Sequence, residues 1–133
     1  VGRAFPSRAL VAGCAFYSLA ALADLRLTVS GTGGAIGLEG NPAMRTMMGL
    51  FGPVAGLWVE KILVGALCVL IAVVGRREMK RRAPWLDRIP STRRARAWVR
   101  SGDRSWVAYG PLYGAALGQL LAAGSWLWLG LRR

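Results

Sequence analysis

Histidine is missing from all 133 residues. That absence excludes a His-based catalytic triad, a haem held by histidine and the common zinc sites. Acidic residues are scarce, with 6 Asp and Glu against 18 Lys and Arg, for a net charge of +12. Cysteine occurs only at Cys14 and Cys68, too little for a disulfide scaffold. The two fall at similar depth in successive apolar segments and read as small apolar side chains in a packed interface, not as redox or metal ligands. Phosphate-binding loops are absent too, because Gly31-Thr32-Gly33-Gly34 lacks the strand-to-helix context that such a loop requires.

What the chain does have is apolar residues, 54% of the total, held apart from its charges. Of the 18 cations, 11 fall between Arg76 and Arg104, while the windows 9–27, 54–74 and 106–131 are almost free of charge. Each window approaches or exceeds the roughly 20 residues needed to cross a hydrocarbon core of about 30 Å. The expectation is an all-α integral membrane protein, one membrane domain over 1–133. It has three transmembrane helices, a Gly-rich outer connection with a short interfacial helix, and a basic cytoplasmic loop over 75–105. A secretory signal competes for the first window, since Arg3 and Arg8 precede an apolar run that ends Ala21-Leu22-Ala23, and cleavage there would leave two spans. Retention of the segment is the expected outcome.

The cations also orient the chain. Arg3, Arg8 and the basic loop lie on one side of the apolar windows, and Arg26, Arg45, Arg132 and Arg133 lie toward the other. The positive-inside rule then places the N-terminus and the loop in the cytoplasm and the C-terminus outside. Trp106 and Tyr109 at one end of the third window, and Trp126 and Trp128 at the other, suit the two membrane interfaces.

Charges that break this segregation are the informative ones. Glu60 and Lys61 stand inside the second window, where each costs about 2.5–3.5 kcal/mol at mid-helix, so both need partners. Asp24, one turn below Thr28 near the outer end of the first window, lies at a depth that suits a pair with Lys61. Between the windows, Asn41-Pro42 reads as a helix start, with Asn41 at N-cap and Pro42 at the first helical position. Met44, Met47, Met48 and Phe51 then recur at spacings of three and four, which predicts an apolar face laid into the outer interface. Glu39 is placed to approach either the positive end of that helix or Lys61.

Asp24-x3-Thr28, a glycine, Glu39-x-Asn41-Pro42 and Lys61 early in the next span together resemble the signature of a family of small prokaryotic integral membrane proteins of unknown function. The likeness covers about Ala20 to Val74. It implies three or so spans and a shared polar cluster of Asp24, Thr28, Glu39, Asn41 and Lys61; Glu60, beside Lys61, is no part of that pattern but joins the same polar cluster, and the expected location is the bacterial inner (cytoplasmic) membrane. It implies no reaction and no cofactor, so the cofactor stays unknown. The cluster reads either as a staple for the outer loop or as an ion, proton or ligand site.

Two further features read as partner surfaces. Gly110, Gly114, Gly118 and Ala122 repeat every four residues, a stripe of small residues that suits close helix packing. Gln119 is expected to donate a hydrogen bond across a helix interface. Within the basic loop, Ser91 can cap a short helix that lines up Arg93, Arg96 and Arg100 opposite Ala95, Trp98 and Val99, an arrangement for anionic lipid or an acidic protein surface. No nucleic-acid-reading motif accompanies these charges. The expected function is a non-catalytic accessory subunit of a larger membrane complex, in contact with other membrane protein subunits and anionic lipids. A small oligomeric transporter or ion-coupled protein is the alternative, and an intramembrane enzyme with Asp24 or Glu39 as its acid comes third.

Overall fold

The computed structural model describes residues 7–81 and 105–131, and among these it contains helices and no strand. Four α-helices follow one another: α1 (Arg8–Thr32), α2 (Pro42–Phe51), α3 (Pro53–Arg81) and α4 (Gly110–Leu131). Single 3₁₀ turns at Ile36–Leu38 and Ser105–Tyr109 connect them. The short loop helix with Arg93, Arg96, Trp98 and Arg100 lies outside the described residues.

Local chemistry sets the helix ends. Ser7 Oγ accepts from Leu10 N–H at 3.3 Å to open α1, and Gly33 closes it in the left-handed region, with φ 58°. Asn41 Oδ1 accepts from Ala43 N–H at 3.0 Å, and Pro42 takes the first helical position, as the sequence predicts. Gly52, at φ 88°, then turns the chain directly from α2 into α3, a backbone conformation that glycine adopts without steric cost. Replacement of Asn41 by Ala is expected to lower stability by about 1 kcal/mol through loss of the cap, a shift readable in a thermal melt of the detergent-solubilised protein.

Two of the sequence-predicted boundaries move. α1 continues past residue 27 to Thr32, and α3 continues past residue 74 to Arg81, so residues 75–81 are helix and not loop. The apolar window ends where the charges begin, but Arg, Glu, Met and Lys are all good helix formers. Lys80 and Arg81 also sit in the last turn, where the helix dipole favours cations. A window of hydropathy therefore marks the apolar part of a helix and not its length.

Contacts between the ends give the topology. At one end Ser7 and Tyr109 share a hydrogen bond between their hydroxyls, and at the other Trp126 lies over Gly31, so α1 and α4 run parallel. The Arg76 guanidinium, near the end of α3, donates to Tyr109 Oη and stacks on its ring at 5.5 Å. Lys61, near the start of α3, meets Asp24 near the end of α1, so α3 runs antiparallel to both. The result is an up-down-up bundle with α2 folded over the end where α1 finishes and α3 begins. Its centre holds Tyr17, Ala20, Ala21, Cys68, Leu112 and Ala116. Small residues allow the backbones to approach: a Cβ on Gly13 would collide with Leu112, and one on Gly65 with Tyr17.

α2 departs from the expected interfacial arrangement. Met44 and Met48 are buried, packed with Leu57 and flanked by Leu25, Val29 and Ile36, while Met47 is half-buried and Phe51 exposed. The Met face thus fills the gap between α3 and the C-terminal end of α1, because Gly56 lets the main chain at Met47 and Met48 rest against α3.

The distribution of polarity is the reverse of that in a water-soluble bundle. Asp24, Thr28, Glu39, Lys61 and Gln119 are buried, whereas Leu19, Ile62, Leu70, Leu121 and Trp128 stand exposed. Exposed apolar surface on this scale marks a membrane or partner contact. Two helices, α1 and α3, are long and apolar enough to cross a membrane.

Candidate functional site

The polar residues of the three long helices converge on Lys61. Its ammonium donates to Asp24 Oδ2 at 2.6 Å and to Gln119 Oε1, so one side chain of α3 ties α1 and α4 together. Glu60 Oε2 is the third oxygen, 3.3 Å away. It is close enough for Coulomb attraction but off the hydrogen-bond direction, which leaves that buried oxygen without a donor. Two of the ammonium's three N–H bonds are thus engaged, by Asp24 and Gln119, while Glu60 contributes charge without accepting the third. With Asp24 and Lys61 only 1% and 3% exposed, water contributes little, and the partners must satisfy one another.

Two of these contacts were legible in the sequence and one is corrected. The expected Asp24–Lys61 pair is present. Gln119 does reach across a helix interface, but as acceptor and not as donor, since an ammonium has only hydrogens to offer. Glu60 turns toward its own neighbour Lys61 instead of toward a separate helix. Tyr17, which the sequence reading passed over, adds a further lock: its hydroxyl donates to the Lys61 carbonyl at 2.7 Å. Tyr17 precedes Asp24 by seven residues, two turns along one face, and that spacing was a signal available to find it.

Toward its C-terminal end the polar chain continues along α1. Thr28 Oγ1 stands 3.5 Å from Asp24 Oδ1, and Thr32 Oγ1 donates to the Thr28 carbonyl at 2.8 Å. Glu39 takes the first of its two expected positions: Oε1 accepts from Asn41 N–H at 2.9 Å at the start of α2. It does not pair with Lys61, and its other oxygen is buried without a hydrogen-bond partner. Glu39 and Asn41 therefore belong to the start of α2, while Asp24, Glu60, Lys61 and Gln119 form the cluster between the three long helices.

Among the described residues no group of three or more acidic or thiol side chains is gathered around a space for a metal ion. Cys14 and Cys68 form no disulfide; Cys68 lies in the apolar core and Cys14 packs against it.

The glycine stripe does not pack against the described residues. Nothing lies within 4 Å of a Cβ placed on Gly110, Gly114 or Gly118, and α4 turns Leu112, Ala116, Gln119 and Ala123 inward instead. Ala122 is half-buried. Of the glycines that do pack, Gly13, Gly31, Gly56, Gly65 and Gly75, none belongs to a run of three or more glycines at four-residue spacing, so a search for such a stripe had no means of finding them.

Beside the cluster, α1 and α3 enclose a groove of about 310 Å³. Ala21, Leu22, Leu25, Trp58, Ile62 and Val69 are among its walls, with Leu112 of α4 also lining it. No family model, curated protein or solved structure matches this chain.

Proposed function

We propose that the chain is a three-span accessory subunit of a larger complex in the bacterial inner membrane, with no catalytic step of its own. One observation carries this reading. The face of α4 that presents Gly110, Gly114 and Gly118 is open among the described residues along about two and a half turns, while the opposite face is spent on the intramolecular core. A small-residue face left free is what a neighbouring transmembrane helix packs against. Its membrane setting is supported by the apolar exterior and by α4 itself, which has 22 residues and no charged side chain, a length of about 33 Å at 1.5 Å per residue. The N-terminus and the basic loop are cytoplasmic by the positive-inside rule. Buried Lys61, surrounded by oxygens, acts as the structural lock that lets three helices present that face as a rigid unit.

Glu60 favours a second reading. Asp24 and Glu60 supply two carboxylates against one ammonium, and the unmatched oxygen of Glu60 gives an ion-coupled protein a group to work with. Three helices enclose no path, so that reading requires a homo-oligomer.

The native mass after mild detergent extraction separates them. A defined hetero-complex is expected; a homo-oligomer of this chain alone would overturn the accessory role in favour of the coupled one. Gly114→Leu is expected to weaken the complex at least tenfold, read as loss of co-purifying subunits, because a leucine side chain holds the partner helix away. Unchanged association would remove the glycine face from the interface.

A further inference from the structure

We propose that the groove between α1 and α3 binds one anionic phospholipid, its acyl chain lying between the helices and its phosphate held by Arg26. The proposal rests on the membrane setting above and not on the accessory role.

Length is the first argument. The α1 wall runs from Cys14 to Leu25, about 16 Å at 1.5 Å per residue, close to half of a hydrocarbon core of about 30 Å. A single leaflet's acyl chain fits that length, whereas a transmembrane partner helix would run the full height. Chemistry is the second. The walls are Leu, Ile, Val, Ala and aromatic carbon, and the one charged residue among them, Lys61, already has its ammonium engaged by Asp24 and Gln119.

The outer mouth supplies the third. Trp58 ends the α3 wall and Leu25 the α1 wall, and since the helices are antiparallel these mark the same end. Arg26 follows Leu25 and stands one turn above Leu22 on the same side of α1. It is exposed, and among the described residues no acidic side chain pairs with it. An arginine that lies within the last turn of an apolar window reaches the interface by extending its long side chain along the helix. There its planar fork matches a phosphate in bidentate geometry, and the exposed Trp58 ring sits where aromatic side chains favour the headgroup level. One cation, one interfacial aromatic and one leaflet-length apolar slot are thus aligned in the order of a phospholipid's own parts.

The test uses the full chain in nanodiscs of mixed phosphatidylglycerol and phosphatidylcholine, with lipid retained on the protein counted by native mass spectrometry after release. One phosphatidylglycerol per chain is expected to persist, in preference to phosphatidylcholine. Arg26→Gln is expected to reduce that preference about fivefold, the factor that one well-placed cation contributes at an anionic surface, and Arg26→Lys to retain part of it. Ser18→Phe, which fills the groove from its exposed wall, is expected to remove the bound lipid of either kind. Helical circular dichroism and monodisperse elution confirm that each variant is folded. Equal retention of both lipids with no effect of Arg26→Gln would overturn the phosphate contact. No retained lipid, or a dimer of this chain that Ser18→Phe dissociates, would overturn the lipid as occupant. Because the readout is lipid on this chain, the result is independent of whether other subunits co-purify.

Discussion

Lys61→Met is expected to lower stability by about 3–5 kcal/mol, more than any other single substitution in the chain. The reason is what it leaves behind. Asp24 Oδ2 loses a donor at 2.6 Å, Gln119 Oε1 loses its donor, and Glu60 loses the ammonium 3.3 Å from it, at sites with little access to water. Removal of one partner of a buried ion pair costs this much because the other charge stays buried and uncompensated. Asp24→Asn alone is also expected to be damaging, yet the Asp24→Asn/Lys61→Met double variant should be less destabilised than the sum of the two by more than about 1 kcal/mol. Unfolding followed by circular dichroism in a defined detergent measures all three. Strict additivity would show that the pair contributes nothing and that the cluster does not lock the bundle.

Gly56→Ala is expected to be the second most disruptive change, although it adds a single methyl group to a helix. On propensity alone the substitution should stabilise by about 1 kcal/mol. Here the new Cβ would meet the carbonyl carbon and oxygen of Met47 and the Cα of Met48, all main-chain atoms that cannot swing aside. Helix α2 must then lift from α3 and expose Met44, Met48 and Leu57, which now form one buried cluster. Overpacking of this kind costs about 1–3 kcal/mol, and a rigid backbone neighbour puts it at the upper end. Gly124→Ala is the control, since nothing lies within 4 Å of its Cβ; it is expected to leave the melting temperature unchanged or slightly raised. Equal behaviour of the two variants would mean that α2 does not rest on α3 as described.

Both predictions depend on contacts that differ in how visible they are from the sequence. Lys61 and Asp24 announce themselves, because a charge in an apolar window is expensive and the nearest opposite charge at matching depth is the obvious partner. Gln119 was assigned to an interface for the same reason, but the direction of its hydrogen bond follows only from learning that its partner is a lysine. Gly56 carries no such signal. Its neighbours are Ala55 and Leu57, and it matters solely because α2 doubles back onto α3 after the turn at Gly52. The Met face of α2 shows the same limit: a spacing of three and four defines a face, but what covers the face depends on where the helix is folded.

By itself the sequence determined the helical architecture, the caps at Asn41 and Pro42, and the separation of apolar windows from the basic loop. These follow from properties of single residues and short segments: hydropathy, propensity and the cost of burying a charge. It also determined the Asp24–Lys61 pair, where that cost leaves few alternatives. Only the tertiary structure decided which glycines lie against another helix and which lie open. It alone closed the polar cluster with Gln119 and the Tyr17 hydroxyl, and set a leaflet-length groove beneath Arg26. Those outcomes depend on the relative rotation and approach of helices far apart in the chain, and no local pattern of residues encodes that arrangement.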